Sequence, residues 1–187
     1  ATTSFFPSKP LGCYGDGGAC FTGNAVLAAR IRRIRAHGQA ERYRHAEIGV
    51  NGRLDTLQAA ILLAKLPHLD DELAARETAA RYYDEAIAAA GLDRHGVVTP
   101  VIGVGHRSAH AQYTLRVPQR QRVIQTLADA GIPTAIHYPL PLHRQPVYAV
   151  DHGHLALPQA ERAAEQVLSL PMHPFLTPAD QERVIAA

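Results

Sequence analysis

Apolar residues recur every three or four positions in six stretches of the chain, which is the spacing of an amphipathic helix. The first stretch begins at Asn24, a good N-cap residue, and runs to about Ala36, with Gly38 as its stop. Pro67 interrupts the longest run, so two helices are predicted there instead of one. The remaining predicted helices cover 54–66, 67–91, 120–131, 158–170 and 177–187.

Between these helices, four shorter stretches favour strands. Residues 1–6 close a strand, 15–22 form a turn that enters another, and 109–117 alternate between apolar and polar positions. The segment 132–139 is also predicted to be a strand. Residues 39–53 have no clean period and contain two glycines, which predicts a loop.

This order of strands and helices predicts an α/β protein in three parts. We expect residues 1–66 to be the end of a large domain and 67–91 to be a helix that bridges two domains. Residues 92–187 would form a small α/β domain.

Composition excludes several classes of protein. A net charge of +2 does not favour binding to nucleic acid, and there is no apolar run of the roughly 20 residues that a membrane span needs. Cys13 and Cys20 are the only cysteines, which predicts no zinc site or disulfide framework and favours a reducing, cytoplasmic setting. No metal site is expected from the 11 histidines. The chain lacks an initiator Met, which suggests a piece of a longer protein, although a trimmed terminus would look the same.

Lys9 stands out because the chain uses arginine for almost all of its positive charge. Only two of its 19 basic residues are lysines, Lys9 and Lys65. A lysine amine can lose its proton and attack a carbonyl, which a guanidinium cannot do. The alternative is an ordinary surface lysine, and Lys65, at the end of a predicted helix, is interpreted in that way.

The surroundings of Lys9 suit a phosphorylated aldehyde. Ser4 can offer a hydroxyl to a phosphate, and glycines at positions 12, 15, 17 and 18 would let the backbone approach a flat ligand. An amine and a phosphate ligand together match the needs of pyridoxal phosphate (PLP). Glycine-rich loops are common, so local chemistry alone leaves the question open.

Four motifs resemble the DegT/StrS family of PLP-dependent nucleotide-sugar aminotransferases. "SFFPSKPLGCYGDGGA" is similar to the lysine motif of that family, and "EIGVNGRLDTLQAAIL" is similar to its second signature. "GIPTAIHYPLPLHRQPVY" and "LSLPMHP" resemble two further signatures. They follow the family's order and cover only its C-terminal half. The resemblance implies the end of the large domain and the small domain of a type I (aspartate aminotransferase-like) fold.

The resemblance also implies a role for each matching residue. Lys9 would form the internal aldimine with PLP and later shuttle a proton, while Ser4 would bind the cofactor phosphate. Asn51 would reach that phosphate from the neighbouring subunit of a homodimer, although it could be a plain turn residue. Arg53 would pair with an anionic group of the substrate, or form an interfacial salt bridge.

His137 and Tyr138 end a predicted strand and are candidates for binding the sugar nucleotide. A packed His–Tyr pair is the alternative. In the family, the carboxylate that pairs with the pyridine nitrogen and the side chain that stacks on the ring come from upstream of the lysine. We therefore expect this chain to be inactive alone.

The activity that the resemblance implies is transfer of an amino group from an amino acid, glutamate being expected, to a keto group of a nucleotide-linked sugar. The lysine and Gln-Ala-Ala motifs are most similar to members that aminate UDP-2-acetamido-2-deoxy-3-oxo-glucuronate for surface polysaccharide. Related sugar dehydratases typically have histidine at the lysine position, so Lys9 favours transamination. A dehydratase, or a non-catalytic remnant or regulatory module of the same fold, is the alternative.

Overall fold

The computed structural model describes all residues from Ala1 to Ala187. The chain divides into two compact units, Ala1–Asp70 and Asp71–Ala187. The sequence-based division at residues 66 and 91 stays a prediction. Of the helices, none combines the length and the apolar character needed to cross a bilayer.

Unit 1 contains two small antiparallel hairpins and two helices. The strands β1 (Thr2–Ser4) and β2 (Gly18–Cys20) pair with Ser4 opposite Gly18, as the turn and strand patterns predicted. Its other elements are α1 (Ala25–Ile34), β3 (Gln39–Glu41), β4 (Arg44–His45) and α2 (Thr56–Lys65).

Helix α1 begins at its predicted cap and ends two residues before the predicted Ala36. The Asn24 Oδ1 accepts a hydrogen bond of 3.0 Å from the Leu27 backbone N–H, which confirms the predicted N-cap. The helix ends at Ile34 with Arg35 as its C-cap, and His37 and Gly38, the predicted stop, follow with φ values of +62° and +71°. The Gly38 N–H donates back to the Arg33 carbonyl at 2.8 Å, so Gly38 lies in the turn that follows the helix.

The loop predicted over residues 39–53 is wrong in its first part, because β3 and β4 form a hairpin there. A register shift between Gln39 and Glu41 breaks the alternation of side chains, and Tyr43 turns the chain with a φ of +64°. The strands are polar and unburied, so they leave no period-two signal in the sequence.

The predicted break at Pro67 is confirmed. Helix α2 ends at Lys65, a 3₁₀ turn covers Leu66–His68, and α3 (Leu69–Ala89) follows. Gly91 lies just beyond α3 with a φ of +68°, in agreement with its predicted role as a stop.

Unit 2 places the greater part of α3 against a two-stranded antiparallel sheet. Its strands, β5 (Tyr113–Arg116) and β6 (Val167–Leu170), pair with Tyr113 opposite Leu170. The remaining elements are α4 (Arg120–Asp129), α5 (Pro146–His152), α6 (Pro158–Gln166) and α7 (Pro178–Ala186), with 3₁₀ turns at Leu92–His95 and Leu142–Arg144.

The core of unit 2 lies between α3 and this sheet. The rings of Tyr83 and Tyr113 stack with their centroids 4.9 Å apart, and both are fully buried. The Tyr83 hydroxyl donates to the Pro171 carbonyl at 3.1 Å, and burial raises the pKa of Tyr83 to about 12. The Tyr113 hydroxyl donates to Asp84 at 2.6 Å, so each buried hydroxyl has a partner.

Two sequence predictions in unit 2 are wrong. Residues 132–139 make only an isolated bridge, at Ala135 with Ser169, because Pro133 and Pro139 lack the N–H that a continued ladder requires. The helix predicted over 158–170 ends at Gln166, and the apolar run after it forms β6 in the core. Helix α5 was not predicted at all.

The last helix, α7, agrees with its prediction. Thr177 caps it, Pro178 is its first residue, and Thr177 and Asp180 form a reciprocal capping box.

Candidate functional site

Lys9 lies on a loop, residues 5–17, that joins β1 to β2; we call it the Lys9 loop. Its base is closed by the Phe5 N–H, which donates to the Gly17 carbonyl at 2.8 Å. The Cys13 N–H donates to the Phe5 carbonyl at the same distance and draws the returning arm of the loop against the outgoing arm. The loop is therefore a compact structure with backbone hydrogen bonds of its own.

Phe6 connects the two residues predicted to bind the cofactor. Its N–H donates to the Ser4 Oγ at 3.2 Å, and its carbonyl accepts from the Lys9 N–H at 2.8 Å. Lys9 is half-buried and Ser4 is exposed. The Ser4 hydroxyl accepts this bond and keeps its own proton free to donate to an anion.

Gly12 and Gly17 of the Lys9 loop, and Gly18 at the start of β2, are required by close packing of the backbone. A Cβ on Gly12 would lie 2.6 Å from the Pro7 carbonyl oxygen, and one on Gly18 would lie 2.8 Å from that of Thr3. A Cβ on Gly17 would meet Leu54 at 2.9 Å. Close packing of the backbone is thus enough to explain why these positions are glycine. Whether they also let a flat ligand approach the backbone stays a prediction.

Cys13 anchors the loop from inside. The residue is only 1% exposed, and its Sγ lies 3.0 Å from the carbonyl oxygens of both Phe5 and Gly15, to either of which its single S–H can donate. The thiol acts here as a small buried side chain with a weak donor.

Helix α2 contacts the returning arm of the Lys9 loop with two polar side chains. The Gln58 Oε1 accepts from the Tyr14 N–H at 2.9 Å, and the Lys65 Nζ donates to the Gly12 carbonyl at 2.7 Å. The interpretation of Lys65 as an ordinary surface lysine is wrong, because this half-buried side chain bonds to a residue 53 positions away. Gln58, Leu62 and Lys65 share one helical face, and that spacing was the available signal.

Asn51 and Arg53 lie on a second loop of unit 1, which follows β4 and packs against the end of α1. The Val50 N–H donates to the Ile34 carbonyl and the Gly52 N–H to the Arg35 carbonyl, each at 2.8 Å. The approach is so close that a Cβ on Gly49 would lie 2.1 Å from the Gly38 nitrogen.

Glu47 fixes the start of this second loop. Its carboxylate accepts from Arg30 at 2.8 Å and from Arg33 at 3.0 Å. The hydrogen bond from Arg30 is the largest cause that lowers the pKa of Glu47 below its usual value; burial opposes it, and the hydrogen bond from Arg33 and the charges of both arginines lower the pKa further.

The side chains of Asn51 and Arg53 are both exposed, and Arg53 has no ion-pair partner in the chain. The interfacial salt bridge that is the alternative for Arg53 stays a prediction, since it requires another subunit. Both side chains remain available to a ligand or to another subunit.

His137 and Tyr138 belong to unit 2, whereas the other four predicted site residues belong to unit 1. The His137 Nδ1 lies 2.9 Å from the Ser169 Oγ, which in turn bonds to the Thr114 hydroxyl at 2.8 Å. Tyr138 is 69% exposed and its ring meets that of His137 edge-on at 5.5 Å. His137 is thus tied to the sheet, and Tyr138 presents its ring outward.

Comparison with known proteins settles which family this arrangement belongs to. The model of the DegT/DnrJ/EryC1/StrS aminotransferase family matches residues 1–187. The chain belongs to this family. Its aminotransferases depend in general on PLP, and the family resemblance predicted from the four motifs is confirmed.

Within the family, the chain is 52% identical over 187 residues to the UDP-2-acetamido-2-deoxy-3-oxo-D-glucuronate aminotransferase of Pseudomonas aeruginosa. That match covers 100% of this chain and 50% of the relative. A pleiotropic regulatory protein of Geobacillus stearothermophilus is 45% identical over 186 residues, with 99% and 50% covered. The predicted closeness to enzymes for the oxo-glucuronate is confirmed, and the chain spans about half the length of these relatives.

The fold class is confirmed by a solved structure. The chain superposes on S. venezuelae DesV, crystallised in complex with a ketimine intermediate, with a TM-score of 0.92 and 40% identity. The superposition covers 100% of this chain and 49% of that one. This chain therefore has the α/β architecture of part of an aminotransferase of this family.

Proposed function

We propose that the chain is the lysine-bearing part of a PLP-dependent aminotransferase that acts on a nucleotide-linked sugar. The observation that carries this proposal is the placement of Lys9, in a family motif, on a loop that is fixed at its base and along its returning arm. The bound cofactor would supply an electron sink for breaking and forming bonds at the substrate carbon.

The donor set around Lys9 fits PLP. The Lys9 amine forms no salt bridge in the chain and is half-buried, so it is free to hold the cofactor aldehyde. The Ser4 hydroxyl, oriented by the Phe6 N–H, would donate to the phosphate. Once released from the cofactor, the Lys9 amine would carry a proton at its Nζ.

Asn51 and Arg53 would act across the interface of a homodimer. Their exposed side chains lie on a loop that Glu47 and α1 hold in place, which preorganises them for a partner. Asn51 would reach the cofactor phosphate of the neighbouring subunit. Arg53 would pair with an anionic group of the substrate, for which a guanidinium is well shaped.

For the sugar nucleotide, we propose contacts with His137 and Tyr138. Tyr138 supplies an exposed aromatic ring, and the hydrogen bond to Ser169 fixes the orientation of His137. The P. aeruginosa relative, which acts on UDP-2-acetamido-2-deoxy-3-oxo-D-glucuronate, supports a related keto sugar as the acceptor. Glutamate would be the amino donor. The enzyme would act in the cytoplasm, in the synthesis of a surface polysaccharide.

The chain alone would be inactive, because none of the residues assigned to the site supplies a carboxylate for the pyridine nitrogen. Unless that group is present, the ring is a weak electron sink. Activity is therefore expected only in the native protein that contains this chain together with the remaining parts of the pocket.

A regulatory module without catalysis is the second candidate. It is favoured by the relative from G. stearothermophilus, whose name describes regulation and not transamination. A regulatory protein of this fold need not bind PLP, whereas the enzyme must.

Absorbance spectra separate the two candidates. The native protein containing this chain is mixed with PLP, and a band at about 400–430 nm is expected when the cofactor is bound to a lysine amine. Glutamate should then bleach the band and yield one 2-oxo acid for each site. Lys9→Arg, which keeps the charge, should show no band; a wild-type protein without the band would leave the regulatory candidate standing.

A further inference from the structure

We propose that Gln58 and Lys65 are positioning residues that hold the returning arm of the Lys9 loop and thereby fix Lys9. This inference rests on the proposed function, since it assigns a purpose to the placement of Lys9. Neither residue is proposed to touch substrate or cofactor.

The two side chains bond to two backbone groups, at Gly12 and Tyr14, in the returning arm of the Lys9 loop. Lys65 donates to the Gly12 carbonyl at 2.7 Å, and Gln58 accepts from the Tyr14 N–H at 2.9 Å. Cys13 lies between those two points and is buried, with its N–H and its Sγ both bonded to the Phe5 carbonyl. Three consecutive residues of the arm are thus fixed, two of them by α2.

The helix presents these contacts from a rigid surface. Gln58 and Lys65 are seven residues apart, about two turns of α2, with the buried Leu62 between them on the same face. Side chains at such spacing point in the same direction, so α2 offers a donor and an acceptor at a fixed separation. The loop offers the complementary acceptor and donor.

The arm is connected to Lys9 by hydrogen bonds and by close packing. The Lys9 N–H donates to the Phe6 carbonyl at 2.8 Å, and the Gly12 backbone passes so close to the same carbonyl that an added Cβ would lie 2.8 Å from its oxygen. A movement of Gly12 should therefore displace Phe6, whose N–H also orients the Ser4 hydroxyl. Releasing the arm should displace the amine and the phosphate ligand together.

The choice of lysine at position 65 supports this assignment. The chain has only two lysines, and the half-buried side chain of Lys65 donates to a single acceptor, the Gly12 carbonyl. An ammonium is a compact donor that suits a single carbonyl, whereas a guanidinium presents five donors in a plane. The bond is charge-assisted and hence stronger than a neutral one.

The first experiment uses the native protein containing this chain, without cofactor, and measures amide hydrogen exchange of residues 5–17 by mass spectrometry. Lys65→Met keeps most of the stem and removes the donor, and it should accelerate exchange of the arm about tenfold. Lys65→Arg should restore part of the protection. Arg81→Met, which removes an exposed charge in unit 2, is the control and should change nothing in the loop.

The second experiment measures PLP binding and the glutamate half-reaction in the same variants. Lys65→Met should weaken PLP about tenfold and slow the half-reaction, with partial rescue by Lys65→Arg. Gln58→Leu should weaken binding too, while Gln58→Glu, which keeps an acceptor for the Tyr14 N–H, should weaken it less. The Gln58 pair keeps the test decisive if Lys65→Met does not fold.

Two results would overturn the inference: exchange in Lys65→Met and Gln58→Leu no faster than in Arg81→Met, or faster exchange with unchanged PLP affinity and rate. Failure of the proposed function looks different. In that case Lys9→Arg would bind PLP as well as the wild type does, whatever the Lys65 variants do in hydrogen exchange.

Discussion

Different kinds of contact stabilise the folds of unit 1 and of unit 2. Among the buried apolar side chains, unit 1 contributes only Cys13 and Leu62, and all the others belong to unit 2. Both units leave large apolar side chains exposed, such as Ile48 at 97% in unit 1 and Val150 at 88% in unit 2, so the difference lies in the buried cores. In place of a core, unit 1 relies on polar contacts: Lys65 and Gln58 with the Lys9 loop, and Glu47 with Arg30 and Arg33.

This difference predicts which substitutions should change stability and which should change the proposed site. Unit 2 has a continuous core around Tyr83, Tyr113 and Leu168, so its fold follows from burial of apolar surface. Unit 1 carries four of the six proposed site residues, Lys9 and Ser4 among them, and the loop that bears Lys9 is fixed by individual hydrogen bonds. Substitutions in unit 2 should therefore change stability, and those in unit 1 should mainly change the site.

The largest effect is expected in the core of unit 2. Leu168 is completely buried, so Leu168→Ala should lower the free energy of unfolding by about 3–4 kcal/mol through lost burial and a cavity. Urea unfolding followed by circular dichroism measures it. The matched change Leu57→Ala, at an exposed position of unit 1, should stay within about 0.5 kcal/mol. Equal losses would contradict the comparison.

The Lys9 loop should tolerate added volume poorly. Gly12→Ala places a methyl group 2.6 Å from the Pro7 carbonyl oxygen, and it should cost about 2 kcal/mol or force the loop apart. Gly23→Ala is the control, since a Cβ there has nothing within 4 Å. Hydrogen exchange of residues 5–17 should accelerate in the first variant only. Similar exchange in both would mean that the loop is not packed as described.

A smaller effect is expected at the proposed phosphate ligand. Ser4→Ala removes one donor and should weaken PLP binding about tenfold, with little change in the urea midpoint, because Ser4 is exposed. Ser8→Ala, at an exposed serine beside Lys9, is the control and should bind PLP as the wild type does. Titration of the absorbance band measures both affinities. Equal affinities would remove Ser4 from the site.

The smallest effect is a pH dependence at Glu47. Its pKa is lowered in the folded chain, so the stabilisation by Arg30 and Arg33 is present above the ordinary pKa of 4.5 and is lost as pH falls through the folded pKa. The difference in urea midpoint between wild type and Glu47→Gln should accordingly shrink from pH 7 to acid pH. A difference that grows in acid would contradict the sign.

The sequence predicted those elements whose signals are local. Asn24, Gly38, Pro67 and Thr177 mark helix ends by their own conformational preferences, and all four were identified. β6 was mistaken for helix because three of the four residues 167–170 are apolar and continue the run of α6, and the pairing of β6 with β5 is not visible in a single stretch.

The candidate site was predicted as a set of residue types and not as a geometry. Lys9 and Ser4 were proposed from their chemistry together with the family resemblance, but the contacts that fix their loop come from Gln58 and Lys65, more than 40 positions away. Such partners cannot be read from a pattern until the helix and the loop are known to meet. For the same reason, the bond of His137 to Ser169 was not foreseen.

Reductive trapping tests the central claim most directly. The native protein containing this chain is loaded with PLP, treated with borohydride, digested and mapped by mass spectrometry. We predict a single phosphopyridoxyl group, on Lys9, with Lys65 unmodified. Label on another residue, or none, would contradict the account.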